Sequence, residues 1–298
     1  MPFWKRLLLG LYYHGTLPAR SLTAARLRRE HRAPLIVLFY HRVADDRLNP
    51  WTISQAAFAR QMHWLRRHFE MVSLAEGQRR LKSGHNDRPA VAITFDDGYA
   101  DNCRRALPLL IELGIPCTYF VTSQNVLAQR PFPHDVKLGH PLSPNSPSEI
   151  RALADAGIDI GAHTRTHADL GLLCDPKQLR DELLVPQHEL EQITGKPVRY
   201  FAFPYGQHAN LSQAAFDLAK TAYDGACSAY GGYNFPGDDP FHLQRIAVDD
   251  ELVRLQNWVT LDGRKLLASR RNRFVLSLPQ ELGDIHADLP AEPLEIGT

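Results

Sequence analysis

Val91-Ala92-Ile93-Thr94-Phe95-Asp96-Asp97-Gly98-Tyr99 is a short apolar run that ends on two carboxylates and a glycine. A run of this length and content reads as a buried strand, and Asp-Asp-Gly as the turn that closes it. The pattern returns twice, where Ile158–Ala162 runs into His163-Thr164-Arg165-Thr166-His167 and Arg199–Phe203 runs into Pro204-Tyr205-Gly206. Leu35–Tyr40, Cys117–Thr122, Gly225–Ala229 and Leu243–Val248 bring the strand candidates to seven. Helical spacing fills most of the intervals. Phe58, Met62, Leu65 and Phe69 form one stripe, and Ala214, Phe216, Leu218 and Ala219 a shorter one. Leu179, Leu183, Leu184, His188 and Leu190 form another, interrupted or kinked at Pro186. Strands alternating with helices predict a single α/β domain with a parallel sheet, either open or closed into a barrel.

Around this alternation the composition is that of a globular protein. The 298 residues include 34 Lys and Arg against 33 Asp and Glu, which excludes a whole-chain polyelectrolyte role. The balance conceals a split. Residues 1–33 carry seven basic side chains against Glu30 alone, a net charge of +6. Lys5 and Arg6 precede the apolar stretch Leu7–Tyr13, which resembles the start of an export signal but is short and lacks a cleavage box. The segment is expected to be a solvated lead-in helix packed on the domain, with peripheral contact to an anionic membrane surface as the alternative. A cytoplasmic or membrane-associated location is expected ahead of export. Residues 34–278 are assigned to the barrel-like domain, and 279–298, with three prolines and five acidic residues, to a loose tail. Five prolines within 130–148 predict a long loop over one end of the sheet. Cys103, Cys117, Cys174 and Cys227 form no metal or disulfide pattern and are expected to be buried thiols in a reducing compartment.

In parallel α/β folds the carboxyl ends of the strands share one face, so the three polar clusters are expected to converge there. Each has a bland reading: a turn, a surface histidine pair, a loop. All three at strand ends would be a triple coincidence. Two imidazoles with one carboxylate make a metal set that leaves positions open for water and substrate, suited to zinc and also to cobalt, nickel or iron. The adjacent Asp96 and Asp97 can supply a ligand and a free base, since metal-bound water has a pKa near ~7.

Thr94-Phe95-Asp96-Asp97-Gly98-Tyr99, His163-Thr164-Arg165-Thr166-His167 and Phe203-Pro204-Tyr205-Gly206 resemble the first three motifs of the polysaccharide deacetylases, the NodB-homology carbohydrate esterases. Their order and spacing fit over roughly residues 34–250, and Tyr40-His41-Arg42-Val43 resembles a branch containing exopolysaccharide N-deacetylases. The resemblance implies a distorted (β/α)7 barrel and metal-dependent hydrolysis of N-acetyl groups on an amino-sugar polymer or oligosaccharide. It makes Asp96 the general base and Asp97, His163 and His167 the ligands of a divalent metal. The Tyr205 backbone N–H becomes an oxyanion donor.

Three positions depart from the family pattern. Ala202 stands where the third motif commonly has Arg, the Asp that partners this Arg has no match in 228–234, and Leu243-Gln244-Arg245 replaces the late Leu-x-His acid. Loss of both ion-pair partners is coherent, since losing one strands a charge. Arg245, a poor proton donor, is expected to replace the missing arginine and steady Asp96 from a neighbouring strand. The general acid is then assigned to His41, which follows the first strand, with a structural role as the alternative; His242 precedes the last strand and should face the opposite end.

Other residues attract weaker readings. His134-Asp135 is expected to be a solvated loop pair, with substrate contact or covering of the site as the alternative. Trp51, Trp64 and Trp258 are read as packing residues, and Tyr230-Gly231-Gly232-Tyr233-Asn234 as a turn or a sugar platform. The rival functions are a metal-dependent barrel hydrolase of a small amide or ester, and a silent carbohydrate-binding relative; an intact Asp96 argues against the second. No nucleic-acid reader motif accompanies the basic N-terminus.

Overall fold

The computed structural model describes residues 1–271, so the acidic tail and the last residues of the expected domain lie outside the described residues. Each of the seven expected runs overlaps a strand. They are β1 (Leu35–Tyr40), β2 (Ala90–Phe95), β3 (Cys117–Val121), β4 (Asp159–Ala162), β5 (Tyr200–Ala202), β6 (Gly225–Ser228) and β7 (His242–Ala247). All pair in parallel in the order β1-β7-β6-β5-β4-β3-β2, and β1 also pairs with β2, which closes the ring. The expected choice between open sheet and barrel is thus settled as a closed seven-stranded (β/α) barrel.

The distortion is visible in the pairing. β1 and β2 share six register pairs from Leu35↔Ala90 to Tyr40↔Phe95, whereas β4 and β5 share only Ala162↔Phe201. Side chains alternate between two environments, as a pleated strand requires. Leu35, Val37, Ala90, Ala92, Phe120, Tyr200, Ala202, Cys227 and Leu243 fill the interior. Ile36, Leu38, Val91, Ile93, Tyr119 and Ile246 face the surrounding helices. Helix Leu74–Lys82 closes the amino end, where Leu74 and Leu81 join the interior cluster.

The outer helices follow their sequence signals. Ser54 caps Gln55–His68 by accepting from Ala57 N–H, and Ser146 with Glu149 forms a reciprocal capping box on Pro147–Asp155. The stripe around Pro186 is two helices, Pro176–Leu183 and Val185–Thr194, because proline is accommodated in a first turn but not in an interior. Helix α1 (Phe3–Arg29) lies along the outside of the barrel against Leu252–Val259. Its anchor is Arg20, buried and bonded to Asn257 O at 2.9 Å, Asn257 Oδ1 at 2.8 Å and Thr260 Oγ1 at 2.9 Å. Cys117 and Cys227 are buried as expected, but Cys103 is half-buried and Cys174 exposed, because each lies outside the strands.

Candidate active site

At the carboxyl end of the barrel, β2 delivers Asp96 and Asp97, β4 delivers His163, and the following turn returns His167 to the same point. The turns are tight. Asp97, Thr164, His167 and Tyr205 all have positive φ, at 76°, 59°, 64° and 59°. Non-glycine residues rarely adopt this region, and such strain gathers at functional sites. Gly206 also has positive φ, at 64°, which glycine adopts without strain, and a Cβ there would stand 2.7 Å from Ala229 N.

Asp97 Oδ1 lies 3.3 Å from His167 Nε2 and 3.6 Å from His163 Nε2. Two ligand atoms bound about 2.0–2.2 Å from one tetrahedral ion stand ~3.3–3.6 Å apart, so these separations fit a shared ion. Asp97 Oδ1 is also buried without a hydrogen-bond partner among the described residues, an unfavourable arrangement that a cation would relieve. His163 Nδ1 stands 2.7 Å from Ala202 O, which assigns the proton to Nδ1 and leaves the Nε2 lone pair facing Asp97. Burial pushes the His163 pKa down to about 4, so the ring is neutral, the form that ligates. These three residues therefore fit a divalent metal on the chemistry of the donor set.

Asp96 is equally buried but is held differently. Arg245 Nη1 donates to Asp96 Oδ1 at 2.6 Å and Nη2 to Oδ2 at 2.9 Å. Burial is the largest single influence and would raise this carboxyl, but the charge and hydrogen bonds of Arg245, together with the nearby His163 and His41, hold it below the ordinary range. Arg245 does not reach Asp96 from a neighbouring strand, since β1 separates β7 from β2. It crosses the barrel interior instead, its guanidinium 4.6 Å from the Phe39 ring centroid and 5.3 Å from that of Phe120.

Residues 83–223 match the family model for polysaccharide deacetylase. This segment belongs to that family. Across 229 residues the chain is 24% identical to "Putative polysaccharide deacetylase YxkH" of Bacillus subtilis (strain 168), covering 76% of this chain and 75% of that protein. The fold is similar to IcaB from Ammonifex degensii, with a TM-score of 0.64 and 25% identity over 76% of this chain and 97% of that one. A de-N-acetylase from Aggregatibacter actinomycetemcomitans shares the fold at a TM-score of 0.62 and 21% identity, over 76% and 99% of the two chains.

The mouth of this barrel is an arc of rings. His41 lies 6.4 Å from Trp51, Trp51 5.0 Å from His134, His134 6.0 Å from His167, and His167 5.1 Å from Tyr205, centroid to centroid. Two of them are presented to solvent, Trp51 at 44% exposure and Tyr205 at 58%. Trp51 is thus a rim residue rather than a packing one, because the strand pair Arg42–Val43 and Thr52–Ile53 lifts its loop over the mouth. Trp64 and Trp258 do pack against the core. His41 sits where the first strand ends, within electrostatic range of Asp96 and Asp97, and its carbonyl accepts from Asn102 Nδ2 at 2.7 Å.

In the His134-Asp135 pair only His134 keeps contact with solvent. Asp135 is fully buried, accepting from Tyr99 OH at 2.8 Å and Asn49 Nδ2 at 2.9 Å, and His134 stacks on Phe132. The loop that carries it folds into the short helix Pro133–Lys137 and covers one side of the site. Tyr230 and Tyr233 are buried too, and Tyr233 OH donates to Trp258 O at 2.6 Å, so 230–234 is packing and not a sugar platform. His242 lies away from the rim, buried on the outer side of the barrel against Phe216 and Tyr230.

Sequence reasoning missed one group that shapes the site. Glu182 accepts from Arg165 N–H at 3.0 Å, Thr166 N–H at 2.9 Å and Thr166 Oγ1 at 2.7 Å, and so ties down the turn between the two histidines. Its signal was an acid between Leu179 and Leu183 on a helix face that is otherwise apolar.

Proposed function

We propose that this chain hydrolyses N-acetyl groups on an amino-sugar glycan, releasing acetate and a free amine. The observation that carries the reading is a buried carboxylate, Asp96, fixed as an anion by Arg245 beside a separate buried ligand set. A binding module has no use for the second carboxylate, whereas amide hydrolysis needs a base that does not serve as a ligand. Asp97, His163 and His167 would hold the ion, zinc first and cobalt, nickel or iron as alternatives. When bound, such an ion acts as a Lewis acid on the acetyl carbonyl and acidifies water.

The residues divide the remaining work. Asp96 takes a proton from the attacking water as its oxygen bonds to the acetyl carbon. The Tyr205 N–H donates to the carbonyl oxygen as negative charge develops there. The C–N bond then breaks, and His41 donates the proton that the departing nitrogen needs. Arg245 keeps Asp96 oriented and ionised. Trp51 and Tyr205, exposed on the rim, offer ring faces to a sugar, which favours a glycan over a small amide in a closed cavity.

The test is acetate release from N-acetylated and O-acetylated glycans by metal-replete and chelator-treated protein. Release from the N-acetylated glycans that chelation abolishes and added metal restores supports the reading. Metal-replete protein that frees no acetate from any amide substrate overturns it.

A further inference from the structure

We infer that helix α1 is a membrane-surface docking element for anionic lipid. The helix alone carries it, independently of the proposed reaction. Fifteen large hydrophobic side chains are exposed among the described residues, and seven of them, Phe3, Trp4, Leu7, Leu8, Leu11, Tyr12 and Leu22, lie on this one helix. Their spacing is that of a single face. At 100° per residue Phe3, Trp4, Leu7, Leu8, Leu11 and Tyr12 fall within about half of the helix circumference, and Leu22 repeats the angle of Trp4. The opposite seam carries Arg20, buried against the barrel, with Tyr13, Thr16 and Leu17 half-buried beside it. The helix is therefore already anchored on one side, and its other side presents apolar surface that needs a different partner. Phe3, Leu7 and Leu11 are 80%, 54% and 61% exposed, which forms a contiguous patch of the kind soluble monomers rarely leave uncovered.

Charge identifies the partner. Arg6 is bound to Glu251 at 2.8 Å and Arg26 to Glu30 at 2.8 Å. Lys5, Arg28, Arg29 and Arg32 are exposed and have no ion pair among the described residues. The outward face thus begins apolar and ends basic, with Trp4 and Tyr12 on the apolar part. Tryptophan and tyrosine favour the lipid headgroup boundary, and basic residues near an anionic surface contribute independently of any shape match. A second copy fits less well, because pairing two such faces brings two segments of net +6 together. No described helix is long and apolar enough to cross a membrane, so the helix lies on the surface rather than spanning it.

The test is sedimentation of the full chain with phosphatidylcholine vesicles and with mixed phosphatidylglycerol–phosphatidylcholine vesicles. Wild type is expected to bind the anionic vesicles at least ~10-fold more tightly, with binding that weakens as salt rises. Trp4→Ser combined with Leu8→Ser and Leu11→Ser should lower that affinity by ~10-fold or more, with circular dichroism and thermal midpoint unchanged because these side chains touch no core. Arg28→Glu with Arg29→Glu should remove the preference for anionic vesicles. Equal sedimentation of wild type and the triple serine variant overturns the inference. So does a wild-type dimer in solution that the triple variant abolishes, since the stripe would then be a protein interface.

Discussion

Arg245 holds Asp96 by both carboxylate oxygens although a third strand lies between the two that carry them. The pair explains how a carboxylate can be both buried and ionised, which burial alone opposes. It also separates stability from chemistry in a way that mutagenesis can read.

Asp96→Asn should lower turnover by ~10²–10⁴-fold, since the amide cannot accept a proton. It should also destabilise the fold by about 3–5 kcal/mol, because the Arg245 guanidinium remains buried without its counter-charge. Asp96→Asn combined with Arg245→Met should recover most of that stability while turnover stays low. Denaturant unfolding and acetate release on the same three proteins check both halves. A stable and active Asp96→Asn enzyme would remove Asp96 from its role.

Asp97→Asn should instead weaken the ion itself. The buried Oδ1 has no hydrogen-bond partner among the described residues, so its contribution is to ligation rather than to folding. Titration calorimetry with zinc on apo protein should show reduced affinity for Asp97→Asn, and for Ala at His163 or His167. Asp96→Asn should retain affinity near that of wild type. In a zinc-soaked crystal the imidazole nitrogens should stand about 2.0–2.1 Å from the ion. An ion located elsewhere would contradict the assignment.

Glu182→Ala should act on the ion from a distance. Its carboxylate holds the Arg165 and Thr166 backbone N–H groups, and these lie between the two ligands in sequence. Removing it should lower metal affinity by ~10–100-fold, the range expected for groups that orient ligands. Glu182→Gln keeps one acceptor and should fall between. An unchanged zinc affinity in a folded Glu182→Ala protein would make the residue purely structural.

The barrel and the three converging clusters could be read in advance because each rests on local order. Apolar runs of strand length, ended by turn residues, identify strands wherever they lie in the chain. What escaped the sequence depends on contacts between distant segments. Asp135 looks like a solvated loop acid until Tyr99 and Asn49, 36 and 86 residues away, close over it. Trp51 looks like core until its loop is seen raised over the mouth, and Tyr233 looks like a platform until Trp258 covers it. Glu182 showed its role only once its helix was packed against the His163–His167 turn.

Trp51→Ala tests the rim. The ring is exposed beside His134 and His41 and reaches no ligand, so its effect should fall on binding. A stacking contact of ordinary strength predicts a rise in KM of ~2–10-fold for an oligosaccharide, with kcat nearly unchanged. Steady-state kinetics on a short oligomer and on an N-acetylated monosaccharide should show the rise only for the oligomer. Equal losses on both would mean that Trp51 shapes the site rather than holding sugar.

His242 should set part of the acid limit of the fold. Burial pushes its pKa down to about 4, and its Nε2 stands 2.8 Å from Ser228 Oγ. In the unfolded chain an ordinary imidazole titrates near ~6.5. Between those two values the unfolded state binds a proton that the folded state refuses, so stability rises with pH across the interval. On acidification the loss begins near ~6.5, grows until ~4, and amounts to about 3 kcal/mol once both states are protonated. His242→Gln retains a polar side chain opposite Ser228 but carries no proton, so it should be less stable than wild type at neutral pH and lose less on acidification. Thermal midpoints of the two proteins, both stripped of metal so that His163 contributes equally, should therefore converge as pH falls through this window. Parallel curves would show that His242 is not the titrating group.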